Sequence, residues 1–384
     1  MRILVVNYEF PPIGGGGSTA TRYLTRELKR RGHVVDVLTS RCFGLAAREV
    51  VDGVTVYRVP VRRRRMDFCS VREMSTFLLS APPKALQLAS LHRYDLVHVF
   101  FGVPCGPIGW LLKRTHGLPY LIRMGGGDIP GFKPYGYERH YQWATPLVKR
   151  LWRDADGLIV VSADLEERVR RIDASVTAAV IPNGVDLDEF RPGASPTARG
   201  PLTILTVSRL ISRKRIDVLL VAAARLKEKM SMPFRVEIVG DGVDRPYLAT
   251  FAATVGVTDI VRFQGDVEHD RLPSVYQEAD IFVLTSLAEG MPNVLLEALA
   301  SGLPLIATNT GGSAELILPG VNGFVVQKES PDALAEHLQM LLEDPAQRAA
   351  FGRKSRERAQ QFSWADIARR TETLYEKIRH RASA

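Results

Sequence analysis

At 384 residues, 46% apolar and 24% charged, the chain has the size of about two globular domains, and its composition excludes a disordered or fibrous protein. Its net charge of +9 is uneven: residues 1–190 hold 27 Lys and Arg against 19 Asp and Glu, a net +8. The three cysteines, Cys42, Cys69 and Cys105, contain no C-x-x-C pair. That argues against a disulfide framework or zinc site and fits a cytoplasmic protein. The start, Met1 to Asn7, is too short an apolar run for a signal peptide, and the uncharged run Leu96 to Leu112 contains Pro104 and Pro107, which rejects it as a membrane span.

Arg2 to Asn7 predicts a strand, followed by a loop to Gly17 and a helix capped by Ser18, with Ala20, Tyr23, Leu24 and Leu28 on one face. Val34 to Thr39 is the next strand. This βαβ unit carries Gly14-Gly15-Gly16-Gly17 at its first turn, where backbone can approach a phosphate. A flexible loop is the plain alternative. The pattern is not a dinucleotide fingerprint, because position 19 is Thr and the second strand ends in Thr39-Ser40. Val54 to Val59 predicts a strand. Arg62 to Ser90 is basic and partly helical, densest at Arg62-Arg63-Arg64-Arg65. That run suits either a solvated loop or docking on an anionic membrane surface, and no aromatic or helix-turn-helix signature argues for nucleic acid. Strands at Asp95 to Phe101 and Tyr120 to Arg123 flank a helix at Ile108 to Thr115. His98 reads as a packed core histidine rather than a base. The loop Met124 to Gly131, holding Gly127 and Asp128, follows a strand end, where open α/β sheets place ligands. Short strands at Leu158 to Val161 and Ala178 to Ile181 surround a charged helix. Arg191 to Pro201, with its prolines and glycines, reads as an interdomain linker.

The alternation then restarts with strands at Leu202, Arg235, Val261, Ile281, Leu305 and Phe324 and helices between them. Near-continuous apolar strands alternating with helices imply a parallel sheet covered on both faces in each half. Arg209 and Lys214 follow the first strand of the second half, placed to clamp a diphosphate. A solvated loop is the plain alternative for this stretch, since Arg213 and Arg215 are basic too. Ile281 to Thr285 leads into Glu289-Gly290-Met291-Pro292-Asn293-Val294-Leu295-Leu296-Glu297. Pro292 suits the first position of the helix Asn293 to Ala300. The amides of that helix start form an anion site with Glu289 before it and Glu297 about a turn and a half inside. A phosphate between two hydroxyl-accepting carboxylates describes a nucleotide-sugar.

The segment from Glu289 to Glu297 resembles the E-x7-E motif of the retaining glycosyltransferases of family 4, and Arg209 and Lys214 match the spacing of that family's basic pair. The resemblance covers nearly the whole chain and is densest from Leu202 to Phe324. It implies the GT-B fold: α/β, two Rossmann-like doubly wound parallel-sheet domains facing across a cleft. The implied N-terminal, acceptor-side domain is residues 1–185, with the terminal helix 364–384 packing back on it, and the implied nucleotide-sugar domain is residues 186–363. It also implies catalytic roles for Arg209, Lys214 and Glu289, with Glu297 on the ribose hydroxyls. Donor contacts would extend over Gly15, Gly16, Val267, Gly290, Met291, Pro292, Asn293 and Val294. Gly127 and Asp128 fall on the acceptor side. Many members have His-Gly-Ser-Asp or Arg-Gly-Gly-Asp in that loop, and this chain has Gly125 in the place of the His or Arg.

The expected activity is metal-independent, retaining transfer of a sugar from a nucleotide-sugar, UDP ahead of GDP, to an acceptor hydroxyl on a glycan, lipid or small molecule. No cofactor is expected, since no Asp-x-Asp pair stands in a persuasive context. A nucleotide-sugar epimerase or phosphorylase on the same fold, or a non-catalytic nucleotide-sugar-binding subunit, are the alternatives. The expected location is cytoplasmic, with an anionic membrane surface as a candidate partner.

Overall fold

The computed structural model describes residues 1–66, 68–132, 138–193 and 200–383. The chain forms two compact units, one of Met1–Gly184 with Trp364–Ala384 and one of Val185–Ser363. The linker expected over Arg191 to Pro201 falls mostly on residues 194–199, outside the described residues.

In chain order the first unit holds β1 (Arg2–Val6), α1 (Gly16–Arg30), β2 (Val34–Arg41), β3 (Arg48–Val51), β4 (Val54–Pro60), α2 (Val71–Leu91), β5 (Leu96–Phe100), α3 (Gly106–His116), β6 (Tyr120–Met124), α4 (Glu138–Asp154), β7 (Gly157–Val160), α5 (Ala163–Ile172) and β8 (Ala179–Val180). Its eight-stranded sheet runs β3-β4-β2-β1-β5-β6-β7-β8. Neighbours pair in parallel except β3 and β4, an antiparallel hairpin turned at Asp52-Gly53. The sheet order reverses between β1 and β5, so the loops after these two strands share the ligand end of the sheet. Gly17 and Phe101 meet there: a Cβ on Gly17 would lie 2.4 Å from the Phe101 ring. The predicted cap Ser18 lies buried inside α1, and Gly15 takes the cap position.

The basic run does not sit wholly on the surface. Arg62, Arg64 and Arg65 are exposed, but Arg63 is buried. Its Nη2 donates to Glu9 Oε1 at 3.0 Å and to the Met66 carbonyl, whose oxygen also accepts the Gly14 amide. Arg63 therefore anchors the glycine loop. The membrane expectation drawn from four surface arginines is corrected to three.

In the second unit follow β9 (Leu202–Val207), α6 (Ile216–Lys229), β10 (Phe234–Val239), α7 (Arg245–Thr254), β11 (Val261–Gly265), α8 (Leu272–Gln277), β12 (Ile281–Leu284), α9 (Asn293–Ala300), β13 (Leu305–Thr308), α10 (Gly311–Leu316), β14 (Gly323–Val326), α11 (Pro331–Glu343) and α12 (Pro345–Ala359). The six-stranded sheet is parallel throughout, in the order β11-β10-β9-β12-β13-β14. The chain leaves β9 for one side of the sheet and crosses to β12 on the other, so the switch point opens between the ends of β9 and β12. Its core packs Leu219, Ala223 and Leu226 of α6 with Val236, Ile238, Val283 and Ile306 of the sheet.

The last helix, α13 (Trp364–Ser383), returns to the first unit. Trp364 stacks on Tyr23 with ring centroids 5.9 Å apart, and Ile367, Tyr375 and Ile378 join that unit's core. His98 is fully buried, and its Nδ1 lies 2.5 Å from the Tyr375 hydroxyl. Burial and the nearby Arg123 guanidinium hold its pKa well below the ordinary range, so it is a neutral core histidine. Cys42, Cys69 and Cys105 are free thiols. No described helix is long and apolar enough to cross a membrane.

Candidate active site

The loops that leave β9 and β12 are stitched into one floor. After β9, the amide of Leu210 donates to Asp241 O, and the amide of Asp244 donates to Leu210 O. Gly240 and Gly242 make this possible: a Cβ on either would lie 2.0 Å from Ser208 O or 2.2 Å from Leu210 O. A short 3₁₀ turn, Ser212–Lys214, follows and ends at Arg215, whose φ is 47°. This left-handed residue, held by Asp217, turns Arg215 outward and leaves Arg213 and Lys214 buried. The β12 loop is then tied on: Thr285 Oγ1 donates to Lys214 O at 2.7 Å, and the Leu287 amide donates to Arg213 O at 2.9 Å.

Lys214 Nζ donates to Glu289 Oε1 at 2.6 Å. Arg213 Nη1 donates to Ala288 O at 3.0 Å and lies 4.0 Å from Glu289 Oε2. Arg213 is therefore part of the buried cluster, not a solvated neighbour. Burial pushes the Glu289 carboxyl up, but Lys214 and then Arg213 push it down further, so it ends below its ordinary value. Burial, together with the like charges of Arg213 and Arg209, lowers the Lys214 ammonium more than Glu289 raises it. The pair is an ion pair at neutral pH, poised rather than locked. Arg209 is half-buried on the same loop.

Pro292 stands one residue before α9, with ψ of 116°, rather than at its first position. The amides of Leu295 and Leu296 both reach Pro292 O. Those of Asn293 and Val294 precede the helix's first internal bond, which gives the helix start its anion-binding character. Gly312 of α10 presses on this turn; a Cβ there would lie 2.0 Å from Gly290 O. Gly290, Met291 and Pro292 are thus held from beneath. Glu297 is 7% exposed, and its Oε2 accepts from the Tyr276 hydroxyl at 2.7 Å. Burial raises its pKa to about 7, with Tyr276 lowering it and Glu189 raising it. Sequence reasoning passed over Tyr276, which carries no motif. At the end of β11, Gly265 has φ of 76°, and Val267 follows half-buried.

In the first unit, Gly14 has φ of 103° and could not carry a Cβ, which would lie 2.6 Å from Glu9 Oε2. Gly15 faces open space. Asp128 is buried: its Oδ2 accepts from the Gly102 amide, and its Oδ1 accepts from the amides of Gly125 and Gly126. Its carboxylate shapes the loop and is turned to backbone. Among the described residues, no group of three or more His, Cys, Asp or Glu side chains is placed to hold a metal ion.

The family described as "Glycosyl transferases group 1" matches residues 189–358, and the "Glycosyl transferase 4-like domain" matches residues 15–184. A GDP-mannose-dependent alpha-(1-6)-phosphatidylinositol monomannoside mannosyltransferase of Mycobacterium tuberculosis is 30% identical, over 98% of this chain and 97% of its own. A D-inositol 3-phosphate glycosyltransferase of Corynebacterium urealyticum is also 30% identical, over 98% and 96%. Among solved structures, sucrose-phosphate synthase from Thermosynechococcus elongatus superposes with a TM-score of 0.84 at 24% identity, covering 98% of this chain and 99% of that one. Anabaena HepE in complex with UDP-glucose gives 0.77 at 20%, covering 98% and 100%. At these identities the structures establish the fold alone, the GT-B arrangement of two parallel-sheet α/β domains.

Proposed function

This chain belongs to the family 4 glycosyltransferases, and from that premise we propose that it transfers a sugar from a nucleotide-sugar to an acceptor hydroxyl with retention of anomeric configuration. The observation that carries this reading is the buried Lys214–Glu289 pair at the switch point, directly before the start of α9. An ammonium has three N–H donors, and Glu289 takes one. The others, with Arg209 and the first amides of α9, would hold the diphosphate as charge builds on it in the transition state. Glu289 would accept from a sugar hydroxyl and Glu297 from the ribose. Gly290, Met291, Asn293 and Val294 would line the phosphate turn, and Val267 would lie by the base. In the first unit, Asp128 would keep Gly127 in place in the loop proposed for the acceptor. The leaving phosphate would take the acceptor proton. Positive side chains and amides supply the needed charge, so the reaction is proposed to need no metal.

UDP-sugars are the first donors to test. GDP-mannose is the second, because one relative is named for it. The relatives' names also suggest the acceptor: both contain a phosphorylated inositol, a hydroxyl-rich anion suited to a chain whose residues 1–190 carry a net +8. A lipid-linked acceptor would be met at an anionic membrane on the cytoplasmic side, through the exposed Arg62, Arg64 and Arg65 beside the exposed Met66 and Phe68. A thermal-shift panel of UDP, GDP and their sugars identifies the donor, since a ligand bound by the native state raises apparent stability. Incubation of that donor with inositol phosphates, followed by NMR of the anomeric proton, tests transfer and retention together. Nucleotide-independent melting across the whole panel would reject the reading.

A further inference from the structure

Resting on the reading of Glu297 as the ribose carboxylate, we propose that Tyr276 is its positioning residue: the phenol holds Oε2, leaving Oε1 to accept from the ribose hydroxyls. Tyr276 lies on α8 and is fully buried. Its ring is fixed between Phe190 and Phe282, with both centroids 5.7 Å away. A phenol has one proton. The hydroxyl is 2.7 Å from Glu297 Oε2 and 3.4 Å from Val294 O, so the proton goes to the carboxylate, within the distance range of a charge-assisted bond.

The two glutamates of the site are therefore held differently. Glu289 has an ammonium beside it. Among the described residues the Glu297 side chain has one hydrogen-bond partner, the neutral Tyr276, and its charged neighbour is Glu189, a like charge. Glu189 in turn lies 3.5 Å from His269 Nε2. From α12, Arg356 binds the carbonyls of Leu187, Phe190 and Ala300. A carboxylate fixed in place without a counter-charge offers its full charge to incoming donors once it is ionised. A vicinal diol offers two hydroxyls to such an oxygen, and a 2′-deoxynucleotide offers one fewer. Burial and Glu297 keep the phenol protonated, since both push its pKa well above 10.0, so Tyr276 is a donor whenever Glu297 is charged.

The test is calorimetric titration of the full chain with UDP and GDP and their 2′-deoxy forms, across the pH interval around 7 in which Glu297 loses its proton. Wild-type protein should prefer the ribonucleotide, and that preference should fade as the pH falls through about 7. Tyr276→Phe should weaken ribonucleotide binding about tenfold, move the pH midpoint upward and narrow the ribose preference. In a Glu297→Gln background it should add nothing. A Tyr276→Phe protein with wild-type midpoint and preference overturns the proposal. So does a ribose preference in the wild type that is flat with pH, a result that needs no variant to fold. If Glu297→Gln leaves every affinity unchanged, the ribose reading itself fails. If it abolishes the ribose preference while Tyr276→Phe preserves it, the positioning role alone fails.

Discussion

Lys214 Nζ sits 2.6 Å from Glu289 Oε1, and each side chain is only about a tenth exposed. A pair this buried is worth little net stability while intact, but removing one partner strands a charge. Glu289→Gln should therefore have two effects. Turnover should fall by about a hundredfold or more, with nucleotide affinity nearly unchanged, because the sugar contact matters most in the transition state. The melting temperature should fall as well, because Lys214 loses its counter-charge. Lys214→Met should destabilise by about 3–5 kcal/mol, and adding Glu289→Leu should recover much of that loss. Denaturant melts of the two singles and the double decide it; additive losses would show that the two charges act independently.

Arg209 and Arg213 should separate cleanly. Arg213 ties the Ala288 carbonyl and lies beside Glu289, so Arg213→Ala should cost about 1–3 kcal/mol of stability through an unpaired buried carbonyl. Arg209 is half-buried on the loop surface, so Arg209→Ala should leave the melting point near wild type and lower kcat. Paired melting and kinetic measurements on both variants check the split. Equal behaviour would point to a general electrostatic patch.

The sheets were legible because buried parallel strands are apolar runs, and β9 to β14 announce themselves one after another. Glu289 and Glu297 stood out in the sequence because Pro292 and the strand before it mark a helix start. The side-chain partners were not. Ser212-Arg213-Lys214-Arg215 reads as one solvated basic run, and only the left-handed Arg215 sends two of its cations inward. Arg63 looks like its neighbours in the basic run; its partner Glu9 is 54 residues away. Tyr276 meets Glu297 across 21 residues, and no periodicity connects them. α2 keeps Pro82 and Pro83 in its interior, where local propensity argues against a helix. Its Ser70–Glu73 capping box and the buried face of Phe77, Ala81, Ala85 and Leu88 override that penalty.

Glu297 should make the unliganded protein less stable as the pH rises. Its folded pKa of about 7 lies above the ordinary 4.5, so between these values the native state holds a proton that the unfolded chain has lost. Stability from this group is fully present below about 4.5 and declines until about 7. The shift corresponds to about 3 kcal/mol as an upper bound. Glu297→Gln removes the titration, so the variant should melt higher than wild type at alkaline pH and match it at acidic pH, while nucleotide binding weakens by about 1–3 kcal/mol. Melting curves at both pH extremes, without ligand, check this. A variant less stable than wild type at high pH would contradict the assignment of a buried, poorly compensated charge.

The basic loop separates exposed charge from a buried structural anchor. Arg62, Arg64 and Arg65 are exposed, with Met66 and Phe68 beside them, whereas Arg63 anchors Gly14 through Glu9 and Met66. A variant changing all four arginines would damage the glycine loop and confuse two effects. The triple variant Arg62→Ser, Arg64→Ser, Arg65→Ser leaves that anchor intact. Each exposed arginine near an anionic surface contributes about 1 kcal/mol, so three give an attraction of about 3 kcal/mol, enough for reversible retention. Wild-type protein should co-sediment with phosphatidylserine vesicles and not with neutral ones. Binding should fade as added salt shortens the Debye length. The triple variant should stay in the supernatant while keeping the wild-type melting temperature. Arg63→Ser alone should do the reverse, keeping the exposed charge but losing stability, because Glu9 is left buried beside a loosened loop. Wild-type protein that ignores anionic vesicles at low salt would make the run a solvated loop on an enzyme with a soluble acceptor.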